Sequence, residues 1–317
     1  MQEKDVVSIE YLEDPKRFAD LLNGYVFEGQ QVVRPEDIKE RNRVITNTER
    51  RGTQIKGKVM IRDIMRKVLF GIQVVLIALE EQTDIHYAMP VRIMNAEAGI
   101  YQKQWKKRQA EHREKKDLEG AEFLSGFAKE DKLTPTLTLV VYFGSEPWDG
   151  PKKLKDMLQL EGLPEYLRDM IADYPIRLLE VRNYPHLEYF QTDIRYVFGF
   201  LQFASDKKRL GEYVEKNSEQ FSDLEELAYD MIACMSKSTE LKLVKQKYQK
   251  EKGSEIDMCK AITEMIEDGE KRGEKRGKER GVALAKKVYK AYIEGKSNET
   301  IAKECNISIS RVKEILE

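Results

Sequence analysis

The residues best suited to chemistry lie in two neighbouring apolar runs. Residues 58–69 (KVMIRDIMRKVL) carry Asp63, and residues 73–82 (QVVLIALEEQ) carry Glu80, Glu81 and Gln82. Both runs are rich in strand-forming residues. Gly71-Ile72 separates them, a Gly-X pair that suits a two-residue type II′ hairpin turn. With that turn Phe70 pairs with Gln73, and the numbers of every later pair sum to 143. Asp63 then stands opposite Glu80, with Cβ atoms about 4.5–5.5 Å apart on one face. Gln82, two residues beyond Glu80, points to the same face. Two carboxylates so placed repel each other, and a divalent cation between them removes the repulsion. Mg²⁺ takes one or two carboxylates at roughly 2.0–2.1 Å, with water and phosphate completing its shell. The alternative is that both acids sit at frayed strand ends in water. Lys67 shares the Asp63 face but lies about 13 Å away toward the turn at strand rise, so it reads as solvated.

These strands need a scaffold, and the rest of the chain supplies candidates. Residues 5–27 read as helix, interrupted or restarted at Pro15. Residues 31–34 (QVVR) read as a short strand, and the polar stretch 36–57 as a surface loop. A long helix is expected over 89–117, its later turns solvated, and strands over 135–144 and 175–181. Beyond about residue 185 the pattern is helical. The predicted organisation is a domain over 1–236, a charged linker over 237–285 and a small unit over 286–317.

In the linker, Gly269, Gly273, Gly277 and Gly281 recur every four residues. Four glycines in one helix cost roughly 1 kcal/mol each against Ala. The segment reads as a marginal helical linker or as a helix that packs closely along its glycine stripe, which would allow a homo-oligomer. In the last unit, Ser297 and Ser308 cap two helices around a turn at Cys305-Asn306-Ile307, the spacing of a helix-turn-helix. Ser310, Arg311 and Lys313 would face a DNA groove if the unit reads DNA. Glu314 and Glu317 oppose that, and a protein-docking unit is the other reading.

Composition narrows the classes. The chain has 317 residues, 41% hydrophobic and 35% charged, with a formal net charge of −1. That balance suits a globular protein and argues against a large phosphate footprint, though not against a local basic cleft. Cys234, Cys259 and Cys305 are odd in number and widely spaced, which supports neither a disulfide framework nor a zinc knuckle. No run approaches the ~18 apolar residues of a membrane span, and the opening residues lack an apolar leader, so a cytoplasmic setting is expected. Neither a GxGxxG nor a Walker loop is present. His86 reads as a helix-start residue or a general base near the motif. His112 reads as solvated, and His186 as a turn residue. The basic run Lys103, Lys106, Lys107, Arg108, Arg113, Lys115 and Lys116 reads as a solvated face or a phosphate contact.

Several segments together resemble the Rpn-type recombination-promoting nucleases, a PD-(D/E)XK family of transposase-like proteins. They are Arg62-Asp63-Ile64-Met65, Leu79-Glu80-Glu81-Gln82-Thr83, IHYAMPVR at 85–92, FADLLNGYVFEGQQVVRPEDI at 18–38 and EFLSGFAKEDKLTPTLTLVVYFGSEPWDGP at 122–151. The resemblance covers about residues 1–240. It implies an α/β fold with a restriction-endonuclease-like αβββαβ core, a mixed central sheet flanked by helices, and a helical C-terminal extension. It also implies a Mg- or Mn-dependent DNA endonuclease, acting in recombination, mobile-element or defence biology. Asp63 matches the motif aspartate, and Glu80 with Gln82 matches an E-x-Q element in which Gln replaces the more widespread Lys. Asp5 matches an acid of the opening helix. The metal would be held by Asp63, Glu80 and the Glu81 carbonyl. The chain departs from the pattern at Ser8-Ile9, where the family has Phe-Lys, in its short hairpin loop and at NAEAGIY (95–101). Those departures keep a second reading open, a decayed nuclease scaffold that binds DNA or regulates.

Overall fold

A computed structural model describes residues 3–40, 44–51, 54–61, 64–248 and 255–317. The chain divides into two compact units, Met1–Met258 and Cys259–Glu317.

Proline punctuates the start as the sequence predicts. α1 spans Glu3–Glu13 and α2 spans Pro15–Tyr25. Asp14 caps α2 by accepting from the Lys16 and Arg17 amides, and Pro15 at the first helical position has no amide to satisfy. The expected strand over 31–34 does not form. Asn23 takes its backbone groups instead: Oδ1 accepts from Val32 N at 3.1 Å and Val33 N at 2.9 Å, while Nδ2 donates to Val33 O at 2.8 Å. A buried side-chain amide thus stands where a partner strand would be.

The next stretch corrects the expected loop over 36–57. It holds β1 (Ile38–Glu40) and a separate antiparallel hairpin of β2 (Val44–Arg51) and β3 (Gln54–Ile61). Val, Ile and Thr give these strands β propensity despite their charge. β4 (Ile64–Phe70) and β5 (Gln73–Gln82) follow. Then come α3 (Met89–Lys115), α4 (Gly120–Ser125), β6 (Thr136–Tyr142), α5 (Glu165–Met170) and β7 (Arg177–Glu180).

The main sheet is mixed, in the order β1-β4-β5-β6-β7. β1, β4 and β5 are antiparallel, and β5, β6 and β7 run parallel. Parallel neighbours need a long crossover, which α3 supplies between β5 and β6. The β4–β5 register is the predicted one from Phe70↔Gln73 to Ile64↔Leu79, but residues 58–61, expected to continue that strand, pair with β2 instead. Gly71 has φ +60°, while Ile72 keeps a negative φ, as a type II′ turn requires.

Helices cover both faces of this sheet. On one face Met89 and Ile93 of α3 pack on Val140 and Tyr142, and Ile100 packs on Met65 and Leu76. On the other, Arg66 of β4 reaches the end of α1, pairing with Glu13 Oε1 at 3.2 Å and its carbonyl at 3.0 Å. The remaining elements of this unit are α6 (Ile194–Phe203), α7 (Lys207–Lys216), α8 (Ser218–Phe221), β8 (Leu224–Glu225), α9 (Glu226–Met235), α10 (Thr239–Tyr248) and β9 (Glu255–Ile256).

Buried charge ties the N-terminal helices to this layer. Arg17 binds Asp193 through Nε at 2.8 Å and Nη2 at 2.7 Å, also meets Glu225, and lies 4.4 Å from the Tyr11 ring centroid. Asp20 accepts from Gln191 N, Thr192 N and Thr192 Oγ1.

α11 (Met258–Ile293) is a single 36-residue helix, so it runs through the expected boundary at 285/286. Among the described residues, no atom other than the helix's own neighbouring backbone lies within 4 Å of where a Cβ on Gly273, Gly277 or Gly281 would stand. α12 (Asn298–Cys305) and α13 (Ile309–Leu316) complete the second unit. Ser297 accepts from Thr300 N, Ser308 accepts from Arg311 N, and Asn306 turns the chain at φ 52°. Val288, Ala291, Ile301, Ala302 and Val312 form its small core.

Candidate functional site

The carboxyl end of β5 is where the polar residues gather. β5 is internal, with Glu80 beside Val140 and Gln82 beside Tyr142 of β6. Strand alternation puts Leu76, Ala78, Glu80 and Gln82 on the α3 face. Glu80 is only 2% exposed among apolar neighbours. A carboxylate there loses most of its hydration and requires charge or hydrogen bonds in return.

Arg92 meets that need: its Nη2 forms an ion pair with Glu80 Oε1. Arg92 lies in the first turn of α3, and the flanking Met89 and Ile93 are 0% and 2% exposed. The helix start is therefore fixed over the sheet by apolar packing, while 44% of the Arg92 side chain stays in solvent. Arg92 shares a helical stripe with Met89, Ile93 and Ala96. A lone cation on an otherwise apolar stripe was the signal in the sequence, and it went unused.

Glu81 points the opposite way. Its Oε2 accepts from Ser8 Oγ of α1. Adjacent acids thus engage helices on opposite faces of the sheet, Glu80 with α3 and Glu81 with α1. Gln82 donates from Nε2 to the Glu81 carbonyl at 2.7 Å, and its own carbonyl accepts from Phe143 N at 2.8 Å. The expected metal role of the Glu81 carbonyl therefore competes with the Gln82 amide, although a carbonyl has a second lone pair.

Asp63 lies outside the described residues, as does the side chain of Asp5, which belongs to α1. Among the described residues no three His, Cys, Asp or Glu side chains converge as metal ligands. Lys67 pairs with Leu76, four positions from Glu80, and is exposed.

Beyond the strand ends a cleft of about 500 Å³ opens. Thr83, Asp84, Tyr142, Arg182, Ser236 and Lys237 are among its lining residues, and Glu80 is not. Arg182 closes one wall by donating to the carbonyls of Phe143, Leu201 and Met235. Burial pushes its guanidinium pKa down. In an open sheet with parallel strands, such a crevice at the carboxyl ends is the usual place for a ligand.

The histidines separate clearly. His86 Nδ1 is buried and has no hydrogen-bond partner among the described residues, and its carbonyl accepts from Met89 N at the start of α3. His112, expected to be solvated, bridges Asp117 and Asp131 at 2.7 Å on each ring nitrogen. Its pKa is raised by hydrogen bonds to Asp117 and then Asp131. His186 pairs with Glu188 at 3.0 Å and stacks on Tyr189. The basic run on α3 is exposed, and Glu111 pairs with Lys107 and Arg108. In the second unit Ser310, Arg311 and Lys313 are exposed, but Arg311 is held by Glu314 at 2.5 Å and Ser310 bonds Ser308 at 2.8 Å.

Among the described residues no helix is long and apolar enough to cross a membrane. Comparison with family models, with curated proteins and with solved structures gives no match to this chain.

Proposed function

We propose that this protein is a Mg²⁺- or Mn²⁺-dependent endonuclease that hydrolyses DNA phosphodiesters on a PD-(D/E)XK core. The observation that carries the reading is Glu80, a carboxylate 2% exposed near the end of an internal strand, on the same face as Gln82. The described β4–β5 register reaches Ile64↔Leu79, one position short of Glu80. In this reading α2, β1, β4, β5, α3 and β6 form the αβββαβ core, and the β2–β3 hairpin is an insertion.

The donors fit a hard cation, because carboxylate and carbonyl oxygens suit Mg²⁺ and Mn²⁺. Asp63, Glu80 and the Glu81 carbonyl would hold it, and Asp5 is a further acid of the opening helix. Bound there, the ion supplies Lewis acidity toward a phosphate oxygen and toward water. A water oxygen attacks phosphorus, and the P–O bond to the leaving sugar breaks. One water proton passes to solvent, and the leaving alkoxide takes a proton from water. Gln82 orients the water or phosphate by hydrogen bonding, and lacks the charge of a lysine. The outcome is slow cleavage. Ser310, Arg311 and Lys313 would add a DNA contact from the second unit.

A second reading is a decayed scaffold that binds DNA or regulates. It is favoured by the Arg92–Glu80 pair and by the Gln82 contact with the Glu81 carbonyl, which already engage the site. Plasmid nicking in Mg²⁺ and Mn²⁺ separates the two. Nicking by the wild type that is lost in Glu80→Gln and Asp63→Asn supports the nuclease. Equal nicking by all three proteins removes both acids from the mechanism.

A further inference from the structure

Among the described residues, neither Glu80 nor Gln82 supplies the positive charge that the proposed chemistry calls for. Hydrolysis of a phosphodiester gathers negative charge on the phosphoryl oxygens, and a fixed cation stabilises that charge best where water is scarce. Gln82 is neutral, and one of its two amide hydrogens is taken by the Glu81 carbonyl at 2.7 Å. Lys67 is four strand positions from Glu80, about 13 Å at strand rise. Among the described residues, the Arg92 guanidinium forms an ion pair with Glu80.

We propose that Arg92 is the phosphate-binding cation of this site, resting on Glu80 and turning to a non-bridging phosphate oxygen when DNA and metal are bound. The inference rests on the nuclease reading above and assigns it a further residue. Three features support it. The Arg92 backbone is anchored by Met89 and Ile93, so the guanidinium has a fixed origin. Its side chain is 44% exposed while its partner is 2% exposed, so it spans the distance from buried acid to solvent. A planar guanidinium matches phosphate as well as it matches carboxylate, so one group serves both states. A cation ion would replace the charge that Glu80 loses when Arg92 leaves.

The test separates this claim from the nuclease claim. Arg92→Gln should lower nicking about 10²–10³-fold, the usual effect of removing one such stabilising group. Calorimetry with Mn²⁺ alone should show binding retained or tightened, because a competing cation has gone. Binding of a short fluorescein-labelled duplex, followed by anisotropy across salt concentrations in Ca²⁺, should lose about 0.9 from its log–log slope, the value of one phosphate contact. If Arg92→Gln does not fold, because it removes a charged partner of the buried Glu80, Glu80→Gln and the Glu80→Gln/Arg92→Gln double variant carry the same slope comparison in EDTA. The slope should again fall by about 0.9. Unchanged slopes in whichever pair folds overturn the inference, even where Glu80-dependent nicking upholds the nuclease. Absence of nicking in the wild type sinks the nuclease reading and leaves the slope to decide whether Arg92 contacts phosphate.

Discussion

Glu80→Gln should make the metal-free protein more stable, although it removes an ion pair. The carboxylate is 2% exposed and its partner Arg92 is 44% exposed. After substitution Arg92 swings into water, so the lost attraction is about that of a surface-type charged hydrogen bond, roughly 1–1.5 kcal/mol. Against this, a buried carboxylate carries a desolvation penalty of several kcal/mol even after relaxation. A neutral amide of the same shape avoids most of it. The net expectation is a gain of about 1–3 kcal/mol, the size seen when buried ionic groups give way to neutral ones. Metal reverses the order. At about a hundred times its Kd, Mn²⁺ stabilises the wild type by roughly 2.7 kcal/mol, and the variant that cannot bind it gains nothing. Urea unfolding in EDTA and in Mn²⁺ measures both states. Both tryptophans, Trp105 and Trp148, lie in Met1–Met258, so their fluorescence reports the unit that holds the site. A loss of more than about 1 kcal/mol in EDTA would refute the reasoning, because Glu80 would then be a structural partner of Arg92.

Other outcomes follow from the same contacts. Asp20→Ala strands two backbone amides and a hydroxyl around Gln191 and Thr192, and should cost about 3–5 kcal/mol in urea unfolding, given 1–3 kcal/mol per unsatisfied buried group and incomplete additivity. His112 has a folded pKa raised above its ordinary value by Asp117 and Asp131. Its contribution to stability is therefore complete below the unfolded pKa of about 6.5 and disappears as pH rises through the folded one. The stability difference between wild type and His112→Gln should shrink as pH goes from about 6 to about 9, with a two-dimensional NMR titration of the ring placing the midpoint above 6.5. Ile301→Ala empties part of the small core of the second unit and should destabilise that unit by about 2–4 kcal/mol, read as a lower melting temperature for the loss of its helical circular dichroism.

The hairpin was legible because a two-residue turn leaves no freedom of register. Once Gly71 takes φ +60° and Phe70 meets Gln73, the faces of Met65, Leu76 and Glu80 are settled. The breaks at Pro15, Ser297 and Ser308 were legible for a similar reason, since each is decided by one residue and its nearest amides. What escaped sequence reading depended on distant partners. QVVR has strand propensity, but Asn23 occupies its backbone groups. β2 and residues 54–57 of β3 read as a loop, and 58–61 as the start of the strand carrying Asp63, because the evidence for this hairpin is mutual pairing, from Val44↔Ile61 to Arg51↔Gln54. Arg92 was not legible from its own segment, because its meaning depends on Glu80, 12 residues earlier on a strand that passes beneath its helix.

The two acids at the end of β5 also restrict how the site can work. A strand sends neighbours to opposite faces, so Glu80 and Glu81 cannot both face one ion with their carboxylates. Glu80 sits under α3 with Arg92, and Glu81 is engaged by Ser8 of α1. The Glu81 carbonyl, one peptide further on, is held by Gln82. Ser8→Ala would remove the Ser8–Glu81 hydrogen bond between α1 and the β5 end while the Glu80–Arg92 pair stayed intact. A nuclease using the Glu81 carbonyl as a ligand should then show weaker Mn²⁺ binding, with melting temperature almost unchanged. A site built on Glu80 and its opposite strand alone should bind Mn²⁺ as before. Calorimetry of Ser8→Ala beside Glu80→Gln distinguishes these, and wild-type affinity in Ser8→Ala would argue against a Glu81 carbonyl ligand that depends on the α1 tie.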